Sequence, residues 1–393
     1  MTTTNAADSV RAMMLGVHVL DTLVRPVESI PEGQGGALVE QIAISPAGTA
    51  GGTGLVLSRL GVQVRAAGAI GDDVVGEMLT MLLEREGIDT SLLHRITGAQ
   101  TSASVLPIRP DGSRPALHVV GANQFLGEHV PWDDLAGADF VHLGAVEFYG
   151  GDLGAQILER AHQHGAITSA DSLAQGLPGV LDYIRAALPH IDYLLPNDEQ
   201  VIGWTEASSL REGCERLLEL GARCVVATAG AEPTVVATAD GITEVPTFPV
   251  DVVDTSGCGD AFSAGFLRGI SLGLDVVGAA EFGNATAAHT AQGLGSAYGT
   301  YDADTVRAFI ARGGASRGAG GDRRQDPGRC VDHRGRRAVA GGRQEGSRRQ
   351  GRSADRRACQ GCGVEAVVFD RGGNLQRPHR GPGGRRSRSG LKF

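Results

Sequence analysis

Lysine is almost missing: the single copy is Lys392, so residues 1–391 work without an amine side chain. The lysine-dependent phosphate loop G-x-x-x-x-G-K-[ST] occurs nowhere. Long hydrophobic runs are also missing. None approaches the ~18 residues of an ordinary membrane span, and the first residues, MTTTNAADSVRA, lack the basic region and apolar stretch of a signal peptide. Six cysteines scattered over 393 residues make no disulfide framework. These absences predict a soluble cytoplasmic protein.

Glycine, by contrast, is abundant at 59, and hydrophobic residues reach 41%, ample for a core. The formal charge of −9 conceals an asymmetry. Residues 312–393 carry 21 Lys and Arg against 7 Asp and Glu, a net of about +14, which leaves about −23 for residues 1–311. An acidic body repels nucleic acid and anionic membranes, which favours a small-molecule partner.

Short apolar runs alternate with helix-like stretches: 12–20, 62–71, 139–146, 166–171, 192–197 and 223–230, with helices over 73–87 and 154–165 between them. Runs apolar at consecutive positions suit strands buried on both faces. The alternation predicts an α/β fold with a central, mostly parallel sheet flanked by helices. Residues 22–44 and 100–121 look strand-like with no helix between strands, and RPDGSRP (109–115) reads as a hairpin turn. They predict a small β-flap over one sheet edge, able to pair with a second subunit because an uncovered edge seeks a partner.

Beyond about residue 312 the composition turns to Gly and Arg, with too few apolar residues to offset the entropy of ordering, so a disordered basic tail is expected. Cys330-x-x-His333 and Cys359-x-x-Cys362 have zinc-like spacing but no second cue, and read as unpaired thiols. His142, His162, His164 and His289 stand alone and read as structural or surface residues. Trp132 and Trp204 read as packing, and Arg109 and Arg114 as solvated turn residues.

One stretch carries chemistry: VVDTSGCGDAFSAGFLRG, residues 252–269. VPTFPVDVVD (245–254) reads as a strand, and Phe262, Phe266, Leu267 and Ile270 recur at helical spacing from about residue 258. Gly257-Cys258-Gly259-Asp260 thus forms a turn into a helix, where bare amides and the helix dipole make an anion site. A carboxylate repels a phosphate. Asp260 therefore suits a general base that takes a proton from an acceptor hydroxyl. The competing reading is an Asp capping its own helix.

DTSGCGDAFSAGF resembles the C-terminal signature D-T-x-G-A-G-D of the ribokinase-like (PfkB) carbohydrate kinases. LGVHVLD (15–21) resembles the family's first strand ending on a sugar-binding Asp, and SPAGTAGGTGLVLSRLG (45–61) its N-terminal Gly-Gly signature. GAIGDDVVGEML (68–79), LLPNDEQ (194–200) and VVATAGAE (225–232) follow in family order, so the resemblance covers residues 12–311. It implies a three-layer sandwich with a β-flap lid, a kinase domain over 1–311, and transfer of phosphoryl from ATP, with Mg2+, to a hydroxymethyl group of a sugar or nucleoside. By that resemblance Asp260 is the base and the Gly257, Cys258 and Gly259 amides the anion hole. Asp21, Gly48 and Gly52 fall at the acceptor, and Asn197, Thr228, Gly230, Gly259 and Asn284 at ATP. Asp254, Ser256, Thr290, Gly293 and Gly295 fall where some members hold a monovalent cation such as K+.

Three positions depart from the pattern: Cys258 replaces Ala, Gly52 an Asn that grips substrate, and Gln200 the acid of N-x-x-E, beside Asp198 and Glu199. The departures at 52 and 200 keep a non-catalytic sugar- or nucleotide-binding protein in view, and the basic tail keeps an RNA binder in view. In that tail GVEAVVFDRGGN (363–374) resembles a piece of the bacterial ribosomal protein that binds 5S rRNA. The intervening Arg/Gly text does not fit it, which reads as a frame-shifted or spliced segment.

Overall fold

The computed structural model describes residues 10–110, 113–299 and 301–313. The readings made on the Arg/Gly-rich tail, its two zinc-like spacings included, lie outside the described residues.

The first half of the chain alternates β1 (Arg11–Gly16), β2 (Val19–Arg25), β3 (Gln41–Ala47), α1 (Thr49–Arg59), β4 (Gln63–Gly71), α2 (Val74–Arg85), β5 (Asp89–Ile96), β6 (Ala103–Pro107), β7 (Leu117–Val119) and β8 (Phe140–Gly144). The second half adds α3 (Gly150–Gln163), β9 (Ile167–Ala170), α4 (Val180–Ile184), β10 (Tyr193–Leu194), α5 (Asp198–Thr205), α6 (Leu210–Glu219), β11 (Cys224–Ala229), β12 (Glu232–Thr238), β13 (Gly241–Val245), α7 (Cys258–Ser271), α8 (Val276–Thr290) and α9 (Ala303–Ala311). The large sheet runs β13-β12-β11-β10-β9-β8-β1-β4-β5. It is parallel from β11 to β5, and only β12 and β13 turn antiparallel.

Period-two alternation in β1 shows why the fold has three layers. Met13 and Leu15 face a core built with Ile157 and Leu158 of α3, Trp204 of α5 and Leu217 of α6. Met14 faces the opposite core, with Leu55 of α1, Leu79 of α2, Phe262 of α7 and Phe282 of α8. A strand covered on both faces must be apolar at consecutive positions. Among the described residues no helix is long and apolar enough to cross a membrane.

The second sheet, β3-β2-β6-β7, is the flap. It begins at Val19 rather than near residue 22, because the run 12–20 is not one strand. Gly16 ends β1 at φ 150°, where a Cβ would lie 2.0 Å from the Gly144 carbonyl oxygen. The chain leaves the large sheet there and enters the flap three residues later, at Val19. Asp21 consequently sits within flap strand β2, not at the end of the first strand. The stretch 245–254 also departs from expectation. The strand β13 stops at Val245, and residues 246–254 are irregular. Pro246 and Pro249 have no N–H to give to a ladder.

Candidate active site

The turn into α7 is built from backbone. Gly257 is its N-cap at φ 75°, with no side-chain cap, and a Cβ there would lie 2.0 Å from Ser296 Oγ. Both conformation and space require glycine. Gly259 has nothing within 4 Å of the position its Cβ would take, so that side of the turn is open. The Cys258 N–H turns onto the Thr255 carbonyl at 3.3 Å, which makes it a poorer member of the anion hole than the resemblance implied. Burial pushes the Cys258 thiol up to about 12, so it stays protonated and unreactive.

Asp260 lies in the first turn of α7 but caps nothing. Ser296 Oγ donates to its Oδ2 at 3.5 Å. Burial first, then the nearby charges of Asp171 and Asp21, push its carboxyl up to about 8; Ser296 and Arg114 pull the other way. Helix α1 backs it with Gly52, whose missing side chain leaves the space that the carboxylate fills. That helix reaches the site because Gly144 lets the Ala50 amide approach: a Cβ at 144 would lie 2.5 Å from Ala50 N. Gly48, the N-cap of α1, has φ 85° and packs against the Val17 carbonyl.

The flap brings two charged groups. Burial pushes Asp21 up to about 6, with a Ser104 hydrogen bond and the Arg114 charge opposing and Asp254 reinforcing. Arg114, read from sequence as a solvated turn residue, is exposed and also reaches the anion turn. Its Nε donates to Thr255 Oγ1 at 3.1 Å and its Nη2 to the Thr255 carbonyl at 3.4 Å. It is the cation that acts on Asp21, Cys258 and Asp260 alike. Arg109 turns onto Ser113 within the hairpin.

On the other side, β10 and β11 bring Asn197 and Thr228 together as bridge partners, with Thr228 N donating to the Pro196 carbonyl at 3.0 Å. Gly230, at φ 62°, makes the open turn between β11 and β12. Asn197 caps α5 through Gln200 N. Asn284 is buried and committed: its Oδ1 accepts from Thr234, and its Nδ2 donates to the Val245 and Pro246 carbonyls. It ties α8 to β12 and β13 and has little left to read a base.

The residues matched to a monovalent cation come together only in part. Asp254 is buried and accepts from Ser256 N and Oγ at 2.9 and 2.8 Å and from Gly295 N at 3.0 Å. Thr290 turns back onto Thr286 and Tyr301, and Gly293 lies under the Tyr298 ring. Protein hydrogens therefore already satisfy the Asp254 carboxylate. Among the described residues no group of three or more His, Cys, Asp and Glu could hold a metal by itself.

Sequence reading missed Asp171, the first of the charges acting on Asp260. Asp171, just past β9, accepts from Ala145 N at 2.9 Å and lies 3.4 Å from His142 Nε2. His142 is therefore not alone; its Nδ1 meets Ser169 Oγ at 2.9 Å. His162 joins Asp192 and Thr168. His289 packs edge-on to Tyr301. The signal for Asp171 was present in the acid ending the apolar run 166–171, but its neighbours were not readable.

Comparison with known proteins gives this geometry a family. The pattern of the pfkB family carbohydrate kinases matches residues 14–303. The chain is 32% identical over 302 residues to an ATP-dependent ribose-1-phosphate kinase of Halopiger xanaduensis, covering 77% of this chain and 98% of that one. It is 25% identical over 306 residues to a nucleoside kinase of Methanothermobacter thermautotrophicus, covering 77% and 96%. In fold it is similar to the ribokinase of Arabidopsis thaliana solved with ribose and ATP, at a TM-score of 0.65, 18% identity and coverage of 77% and 99%. An E. coli chain solved with ATP and Mg2+ gives 0.66, at 20% identity and coverage of 77% and 99%. The turn of amides, the buried acid of the first helical turn and the flap acid of this chain thus lie on a ribokinase-like fold, and the chain belongs to the pfkB family of carbohydrate kinases, phosphotransferases acting on a sugar or nucleoside.

Proposed function

We propose that the enzyme moves the terminal phosphoryl group of ATP onto a hydroxymethyl oxygen of a pentose-type acceptor, with Asp260 as general base. The acceptor O–H gives its proton to the Asp260 carboxylate as the new O–P bond forms. The bond to ADP breaks, and the amides at the start of α7 hold the charge on the transferring group. The observation that carries this reading is the buried Asp260 carboxyl, set beside the anion turn and tuned to about 8, near working pH. Mg2+ bound with ATP would neutralise phosphate charge and would be held mainly by phosphates and waters, with Asp198 and Glu199 in the first turn of α5 as the carboxylates beside Gln200. The kinase domain is taken to end near residue 311, on composition. The test is ATP consumption by the parent and Asp260→Asn on ribose, ribose 1-phosphate, fructose and adenosine. Equal turnover by the two proteins would overturn the base.

The acceptor we favour carries a phosphate already. The site is acidic, through Asp21, Asp171 and Asp260, and an anionic acceptor needs a cation there. Arg114 supplies one, and the Halopiger relative is named for ribose 1-phosphate. The departures at 52 and 200 lend no support to a non-catalytic binder, because Gly52 makes room for the base and Gln200 is fully bonded.

A homodimer through the flap is also proposed. One outward row across the flap reads Ile44, Thr22, Val105 and Leu117, with the three apolar members exposed. With no charge in the row, nothing repels a second copy of the same face. Sedimentation of the parent and Val105→Asp should show a dimer and a monomer; a monomeric parent ends the proposal.

A further inference from the structure

Gln200 stands where the family pattern has an acid, and its side chain is consumed. Its Oε1 accepts from Asn197 N at 2.9 Å, and its Nε2 donates to the Ser172 and Ala174 carbonyls at 2.8 and 3.0 Å. A glutamate could not make the last two bonds; it would set a carboxylate against two carbonyl oxygens. From the opposite side Glu147 Oε1 accepts from Leu173 N and Ala174 N at 2.8 and 2.9 Å. The backbone of 172–174 is therefore gripped by its N–H groups and by its carbonyls at once. It immediately follows Asp171, the first of the charges acting on Asp260.

We infer that Gln200 is a positioning residue: with Glu147 it clamps residues 172–174 and so fixes the Asp171 carboxylate beside the base, in place of the metal- or phosphate-directed role an acid at 200 would have. The inference rests on Asp260 as the base. The groups acting on Asp260 are Asp171 beyond β9, Asp21 on β2, Ser296 beyond α8 and Arg114 on the flap, while α1 presents Gly52 without charge. Of the two acids, Asp171 is the one on which the clamp bears.

The test compares Gln200→Glu, Asp171→Asn, their double variant, Glu147→Gln and Asp260→Asn in the full chain, with ribose 1-phosphate and adenosine as acceptors. Hydrogen exchange at Leu173 and Ala174 is read alongside, independently of activity. Gln200→Glu should speed exchange at both amides roughly tenfold or more, because one buried and one part-buried carbonyl lose their donors. It should also displace the acidic limb of kcat/KM. Asp171→Asn should lower that limb by about one pH unit or more, since a like charge has gone, and Gln200→Glu should then add little in the double variant. Glu147→Gln keeps an acceptor for both amides, so their exchange should stay close to the parent's. Unchanged exchange and an unmoved limb in Gln200→Glu, or a lower Mg2+ requirement in that variant, would overturn the clamp. Full turnover by Asp260→Asn would instead overturn the base, leaving exchange to decide the clamp.

Discussion

Gly52 and the Asp260 carboxylate share one space: a Cβ on residue 52 would lie 2.2 Å from Asp260 Oδ2 and 2.8 Å from its Cγ. The glycine is thus a condition for the Asp260 carboxylate adopting this position. Gly52→Asn restores the residue many family members carry, yet here it should push Asp260 aside. A kcat loss of roughly 10²-fold or more is expected, comparable to losing a positioned base. Turnover of the variant at the parent's rate would show that Asp260 has a second productive position.

Asp260→Asn keeps shape and loses the proton acceptor, so kcat should fall by roughly 10²–10⁴-fold. Stability should move the other way. The folded carboxyl ionises near 8 against an ordinary 3.8. As pH rises between those values the unfolded chain gives up its proton and the folded chain does not, so the parent progressively loses stability across that window. Asparagine does not ionise. The variant should therefore melt several degrees above the parent at the alkaline end, with the gap closing toward the acid end. Melting curves across the window check it, and an equal gap at both ends would contradict the buried acid.

The Cys258 side chain plays no part in the chemistry derived above. Cys258→Ala should leave kcat within about twofold, because the sulfur is turned onto the Asp254 carbonyl at 4.0 Å and the proposed transfer does not use it. Burial holds Cys214, Cys224 and Cys258 near 12. Iodoacetamide at neutral pH should accordingly leave the parent active; rapid inactivation reversed by Cys258→Ala would refute both points.

Arg114 should discriminate between acceptors. Arg114→Met removes the charge and keeps much of the bulk. It should raise KM for ribose 1-phosphate by roughly 10- to 100-fold, the usual worth of a charge-assisted bond. KM for adenosine should barely change. A uniform fall in kcat for both acceptors would place Arg114 on the transferring phosphoryl group instead.

The layered sheet was legible because β1 and β8 are buried on both faces, and burial writes itself into consecutive apolar residues. The α7 turn was legible for a related reason: glycines, an acid and helical spacing are all local. The break at Gly16 was not, because what stops β1 is the Gly144 carbonyl of another strand. Nor was the loop 246–254, where alternating apolar residues outweighed two prolines. The roles of Arg114 and His142 depend on partners 141 and 27 residues away, which topology selects and periodicity does not. Gln200 looked like a loss because sequence shows a missing acid but not the two carbonyls that need an amide.

Asp21 belongs to the flap sheet and Asp260 to the helical layer, and the chain passes between the sheets in the two residues Val17 and His18. Those two residues therefore set the spacing of the two acids: any shift of the flap at this passage moves Asp21 relative to Asp260 without touching either side chain.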